Sequence, residues 1–113
     1  MTYKEVAAMV ASVGVPYAYY QFPDGTEVAP PFICFWFDRN NDFIADSRNY
    51  QKIEHLRVEV YSDNKNYSLE AVTEAALTGA GLVWVKTEGW LDSERMMMVL
   101  YECDVLITEE NNG

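Results

Sequence analysis

Apolar residues near the start of the chain recur at helical spacing. Val6, Met9, Val10 and Val13 stand at i, i+3, i+4 and i+7 and form one stripe. Thr2 and Glu5 precede them at capping-box spacing, so each can satisfy the other's free backbone N–H. Gly14 can take a left-handed cap conformation and Pro16 prevents continuation, which predicts the end of this helix. The pattern then changes to strand lengths. Residues 17–22 read as a short aromatic strand. Residues 23–31 read as an ordered loop that opens on Pro23 and the turn pair Asp24-Gly25 and closes on a polyproline-like Pro30-Pro31. Residues 32–37 are six apolar residues in a row, the pattern of a strand covered on both faces. Residues 38–46 are polar and predict a turn or hairpin tip, with Phe43 and Ile44 tucked back onto the body.

Residues 50–61 alternate. Leu56, Val58 and Val60 share one parity and His55, Arg57 and Glu59 the other, as in a strand with one wet face. Ile53 falls off the apolar parity, which predicts a bulge near Glu54. Ser68 is the expected N-cap of a second helix, with Glu70 in its first turn. Leu69, Val72, Ala76, Leu77 and Ala80 make its expected apolar face, Gly79 or Gly81 its end, and Ala71, Ala75 and Thr78 a back face of small residues. Residues 82–86 predict a strand, residues 88–94 a turn, and residues 96–107 a final strand. The order α-β-β-β-α-β-β predicts the α+β class: a twisted, mostly antiparallel sheet of about five strands with two helices packed on one face. The 113 residues make one domain, with residues 108–113 as a frayed tail.

Composition sharpens this reading. Half of the residues are apolar or aromatic, which excludes disorder for the body of the chain. Surface scaling lets a chain of this size bury about two-thirds of its surface, enough for a core without staples. Eighteen acidic residues against eight basic ones give a net charge of −10, and no Lys/Arg cluster suited to gripping a phosphate backbone is present. No apolar run approaches the ~18–20 residues that span a bilayer, so no membrane association is expected. Residues 1–14 lack a basic n-region and do not resemble a signal peptide, which points to folding in a cytosol. Cys34 and Cys103 each sit in an apolar run and read as buried, reduced thiols.

Candidate chemistry is sparse. His55 lies on a polar parity, which suggests a surface or interface histidine, and one histidine without a Cys-x-x-Cys cannot complete a zinc set. Asp38-x-Asn40-x-Asp42 begins like a calcium loop, but Phe43 stands where glycine is needed and Asn49 where the bidentate glutamate belongs. Glu88, Asp92, Glu94, Glu102 and Asp104 form an acidic concentration that reads as a solvated face. No catalytic, cofactor or metal set is expected. The aromatic content, 14% with eight tyrosines, exceeds the needs of so small a core. Aromatics with polar tips are enriched where surfaces are buried on assembly, so subunit association is favoured over catalysis.

The run VPYAYYQFPDGTEVAPPF, then FIAD, the long strand ending VEVYSDNKN, and VWVKTEGWLDSERMMMVLYE together resemble the tail terminator, or tail completion, proteins of long flexible-tailed bacteriophages and prophages. The resemblance spans residues 1–107. It implies a homo-oligomer, a ring of six that can depend on its template to form. That ring would sit on the last ring of the major tail tube protein, end tube polymerisation and present a surface to the head connector. The protein would be structural and not an enzyme, without cofactors. It would reside in the virion at the tail–head junction after assembly in the host cytoplasm, with DNA passing through its lumen unread. An acidic wall repels phosphates, which suits such a passage. Interface candidates are Tyr19, Tyr20, Phe22, Pro23, Asp24, Pro30 and Pro31 around the stiff loop, Arg39 and Arg57 as cations for acidic neighbours, and Trp90 at the acidic turn. Two other readings stay open: another head–tail neck adaptor, and a small acidic ligand-binding domain or enzyme using the carboxylates of residues 88–94.

Overall fold

The computed structural model describes residues 1–45 and 48–108, with the side chains of residues 43–50 left out of account. Its elements are α1 (Tyr3–Ala11), β1 (Tyr17–Tyr19), β2 (Phe32–Asn40), β3 (Phe43–Ala45), β4 (Arg48–Gln51), β5 (Ile53–Ser62), α2 (Tyr67–Gly79), β6 (Trp84–Leu91) and β7 (Met96–Leu106). Five strands form one sheet in the order β1-β2-β5-β7-β6, and β3 and β4 form a separate hairpin inserted between β2 and β5. The elements of the main sheet thus follow the expected order α-β-β-β-α-β-β. Three of its pairings are antiparallel, and the edge strand β1 runs parallel to β2.

Both helices lie on one face of this sheet. Val6, Met9 and Val10 of α1 and Leu69 and Leu77 of α2 join Ile33, Phe35, Leu56, Val58, Val60, Val99, Tyr101, Cys103 and Val105 in a single buried core. Packing between them is tight: the gap among Met9, Val58, Thr73 and Leu77 has a volume of only about 10 Å³, room for no more than one water. The capping box of α1 forms as expected, with Thr2 Oγ1 accepting from Glu5 N at 3.1 Å and Glu5 Oε1 accepting from Thr2 N at 2.9 Å. Met1 is tied to the end of β7 as well, because Met1 N donates to Leu106 O and Thr108 N to Met1 O, both at 2.8 Å. Thr108 is thus bound to Met1, and the rest of the expected tail, residues 109–113, lies outside the described residues.

Several boundaries differ from the sequence pattern, each for a local reason. β1 stops at Tyr19 because Tyr20 takes a left-handed φ of 68° and leaves the strand direction. The Pro30–Pro31 bond is cis. β2 runs on through Asp38 and Arg39, where β5 offers partners, so the polar stretch begins as strand. The bulge is carried by β2, between Phe37 and Arg39, opposite Leu56 and His55 and so one residue from Glu54. Asn66, not Ser68, caps α2, accepting from Leu69 N at 3.0 Å. On α2 the buried stripe is Leu69, Glu70, Thr73 and Leu77, while Val72 is exposed. β6 extends to Leu91, and the turn shrinks to a tight reversal closed by Arg95 N on Asp92 O.

Candidate functional site

Register assigns each strand residue to a face, since antiparallel partners project to the same side. The face away from the helices carries Phe32, Cys34 and Trp36 of β2, His55, Arg57, Glu59 and Tyr61 of β5, Met98, Leu100, Glu102 and Asp104 of β7, and Val85, Thr87 and Gly89 of β6. Among the described residues no helix covers it.

One half of this open face is aromatic. The Phe32 and Tyr61 rings stack at 4.9 Å, Phe22 meets Phe32 edge-on at 5.5 Å, and Tyr20 meets Trp36 edge-on at 5.0 Å. Glu59 ties the group together: it accepts from Tyr61 Oη at 2.9 Å, from Arg57 Nη2 at 3.2 Å and from Trp36 Nε1 at 3.4 Å. The Arg57 guanidinium lies 5.7 Å from the centre of the Trp36 ring. Burial first, then the hydrogen bond to Glu59, raises the Tyr61 phenol above its ordinary range, so it remains a neutral donor.

The other half is ionic and centres on His55. A bulge sets two residues against one, and here it brings Asp38 onto the side of its cross-strand neighbour. Asp38 Oδ1 lies 2.6 Å from His55 Nδ1, and Glu102 Oε1 lies 3.6 Å from Nε2. His55 is only 7% exposed, despite its wet parity. The expected surface or interface histidine is instead covered by neighbouring side chains of its own chain. Burial works to raise the Asp38 pKa, but its bond to His55 and the charges of His55, Arg39 and Arg57 outweigh this and hold it below its ordinary value. Asn41 Nδ2 donates to Asp104 Oδ1 at 3.0 Å beside the group. Of the Asp38-x-Asn40-x-Asp42 run, Asn40 and Asp42 accept from the backbone N–H groups of Asp42 and Ile53.

A second ionic network lies on the helix side. Glu70 Oε1 accepts from Lys65 at 2.9 Å and Lys86 at 2.6 Å; Lys86 also reaches Glu74 at 2.7 Å and Lys65 reaches Glu88 at 2.8 Å. Tyr101 Oη donates to Glu74 at 2.8 Å. This lattice ties α2 to β6 and β7. The acidic concentration seen in the sequence is thereby dispersed: Glu88 belongs to this network, Asp92 and Glu94 to the turn, Glu102 and Asp104 to the open face.

The interface candidates separate into two groups. Tyr20, Phe22 and the exposed loop residues Pro23, Asp24 and Pro31 gather at the β1–β2 edge, with Pro30 half-buried among them. Tyr19 turns to the helix side, edge-on to Phe35 at 5.4 Å, and its hydroxyl accepts from Phe37 N at 3.2 Å. Arg39 is exposed and pairs with Asp38. Arg57 is instead engaged with Glu59 and Glu102 on the open face. Trp90, 50% exposed, stands at the far edge of the sheet on β6. There the exposed Val83 and Val85 accompany an eight-residue strand with one unpaired edge. Sequence reasoning missed this edge because it placed residues 88–91 in a turn.

No family model matches the chain, and no curated protein does. Among solved structures, the fold is similar to that of a chain from the virion of a native gene transfer agent particle. The TM-score is 0.57 at 15% identity, over 88% of this chain and 85% of that one. The likeness is one of fold.

Proposed function

We propose that this chain is a structural virion-assembly protein, and that it works as the terminator ring of a phage-type tail. The observation that carries the first part is the fold shared, over most of both chains, with a component of the virion of a gene transfer agent particle. The sequence resemblance to tail terminator proteins supports the second. A ring needs two different patches that meet around a cyclic axis. The molecule offers two at opposite edges of its sheet: the aromatic, proline-stiffened β1–β2 edge and the open strand β6. A stiff loop loses little entropy on docking, and an exposed strand edge accepts another backbone. The role is structural and not catalytic. A ring of six on the tail tube would complete the joint to the head connector, with DNA crossing an acidic lumen that does not hold it.

The test is assembly. The full chain, alone and mixed with tail tube protein, is measured by light scattering and imaged by negative stain. Rings on tube ends, lost on deleting residues 24–29, are the expected result. Unchanged assembly of the deletion removes the loop from the interface. Capture of connector protein in place of tube protein reassigns the chain to a neck adaptor, and association with neither overturns the proposal.

A further inference from the structure

His55 is the sole histidine of the chain, and its two ring nitrogens have different surroundings. A carboxylate only accepts, so the 2.6 Å contact from Nδ1 to Asp38 Oδ1 calls for the proton on Nδ1, and a neutral ring then carries its lone pair on Nε2, as in the carboxylate–histidine pair of metal-binding imidazoles. The side chain is more than nine-tenths buried, yet Nε2 makes no hydrogen bond among the described residues. Glu102 Oε1 stands 3.6 Å from it, beyond hydrogen-bond distance. That spacing fits a shared ion. Legs of about 2.0–2.2 Å from nitrogen and oxygen close on a 3.6 Å base at an angle near 120°. Asp104, directly opposite His55 in register, lines the same cleft of about 370 Å³, which leaves room for water ligands.

We infer that the open face carries a site for a divalent ion of the zinc type, with His55 Nε2 and the Glu102 carboxylate as ligands and Asp104 beside them. Asp38 is a positioning residue that sets the tautomer. Imidazole with carboxylate selects zinc, cobalt or nickel over magnesium and calcium. Arg57 Nη1, 3.8 Å from Glu102 Oε1, opposes the ion and keeps its affinity modest. An ion here would clamp β2, β5 and β7 across the bulge. The inference does not depend on the assembly reading.

The full chain is titrated with Zn²⁺ and with Co²⁺, using Mg²⁺ and Ca²⁺ as controls, and followed by calorimetry and by the imidazole NMR signals of its one histidine. One zinc per chain is expected, with stoichiometric movement of the His55 signals and no such movement with Mg²⁺ or Ca²⁺. His55→Gln and Glu102→Gln should each weaken zinc binding at least about tenfold, and Asp38→Asn by about 10–100-fold. Arg57→Gln should strengthen it. Circular dichroism establishes that each variant is folded, and the wild-type NMR titration stands even if one is not. Unmoved His55 signals, or zinc binding of equal strength in His55→Gln, would overturn the site and leave only the diffuse acidity of the surface.

Discussion

Glu70→Gln isolates the tie between α2 and the last two strands. Glu70 is 4% exposed, its Oε1 takes two ammonium groups, and its Oε2 has no partner among the described residues. Glutamine keeps the volume and removes the charge. A hydrogen bond between a buried carboxylate and a charged donor contributes about 1.5–3 kcal/mol. Breaking a fully buried pair costs about 3–5 kcal/mol because it strands the other charge. Here Lys86 keeps Glu74 and Lys65 keeps Glu88, so neither amine is stranded. The expected loss is therefore about 2 kcal/mol, which lowers Tm by about 8 °C in a domain of this size. The effect has a pH signature. Burial works to raise the Glu70 pKa, but the bonds from Lys86 and Lys65 prevail and hold it below its ordinary value of 4.5. The unfolded chain has the ordinary value. The stabilisation is thus complete above pH 4.5 and is lost as pH falls through the lower, native value. Thermal melts followed by circular dichroism should show a constant gap between wild type and Glu70→Gln from neutral pH down to about 5, closing in stronger acid. A gap under about 2 °C at neutral pH, or one that persists unchanged in acid, refutes this account of the network.

Thr2→Ala removes one half of the α1 capping box and should cost about 1 kcal/mol, read as a Tm about 4 °C lower. Cys34 faces the open side of β2 and Cys103 the helix side of β7, with β5 between them, so they cannot form a disulfide. Burial raises both thiols, Cys103 to about 11. A disulfide-exchange reagent near pH 8 should therefore leave the native protein unreacted and titrate two thiols once it is unfolded.

Local signals were legible where one stretch of chain settles its own structure. Thr2 and Glu5 form the box their spacing announces, and Leu56, Val58 and Val60 bury the face their alternation marks. The α+β class follows from adding such elements. The burial of Glu70 and of His55 went unseen because burial of a polar group depends on partners far along the chain. Lys86 neutralises Glu70, and Asp38 with Glu102 encloses His55. Val72 was misplaced for the same reason: the carboxylate took the buried side of α2, and the valine was left outside.

The aromatic surplus was visible as a number, but its division between Tyr19 on the core side and Tyr20, Phe22 and Trp36 on the open side needed the reversal at Tyr20. The sequence by itself determined the capped start of α1, the alternating central strand and the acidic, aromatic character of the chain, because each depends on neighbours within a few residues. Tertiary structure decided the parallel edge strand, the bulge that delivers Asp38 to His55 and the open edge of β6, because each exists only where distant strands meet in register.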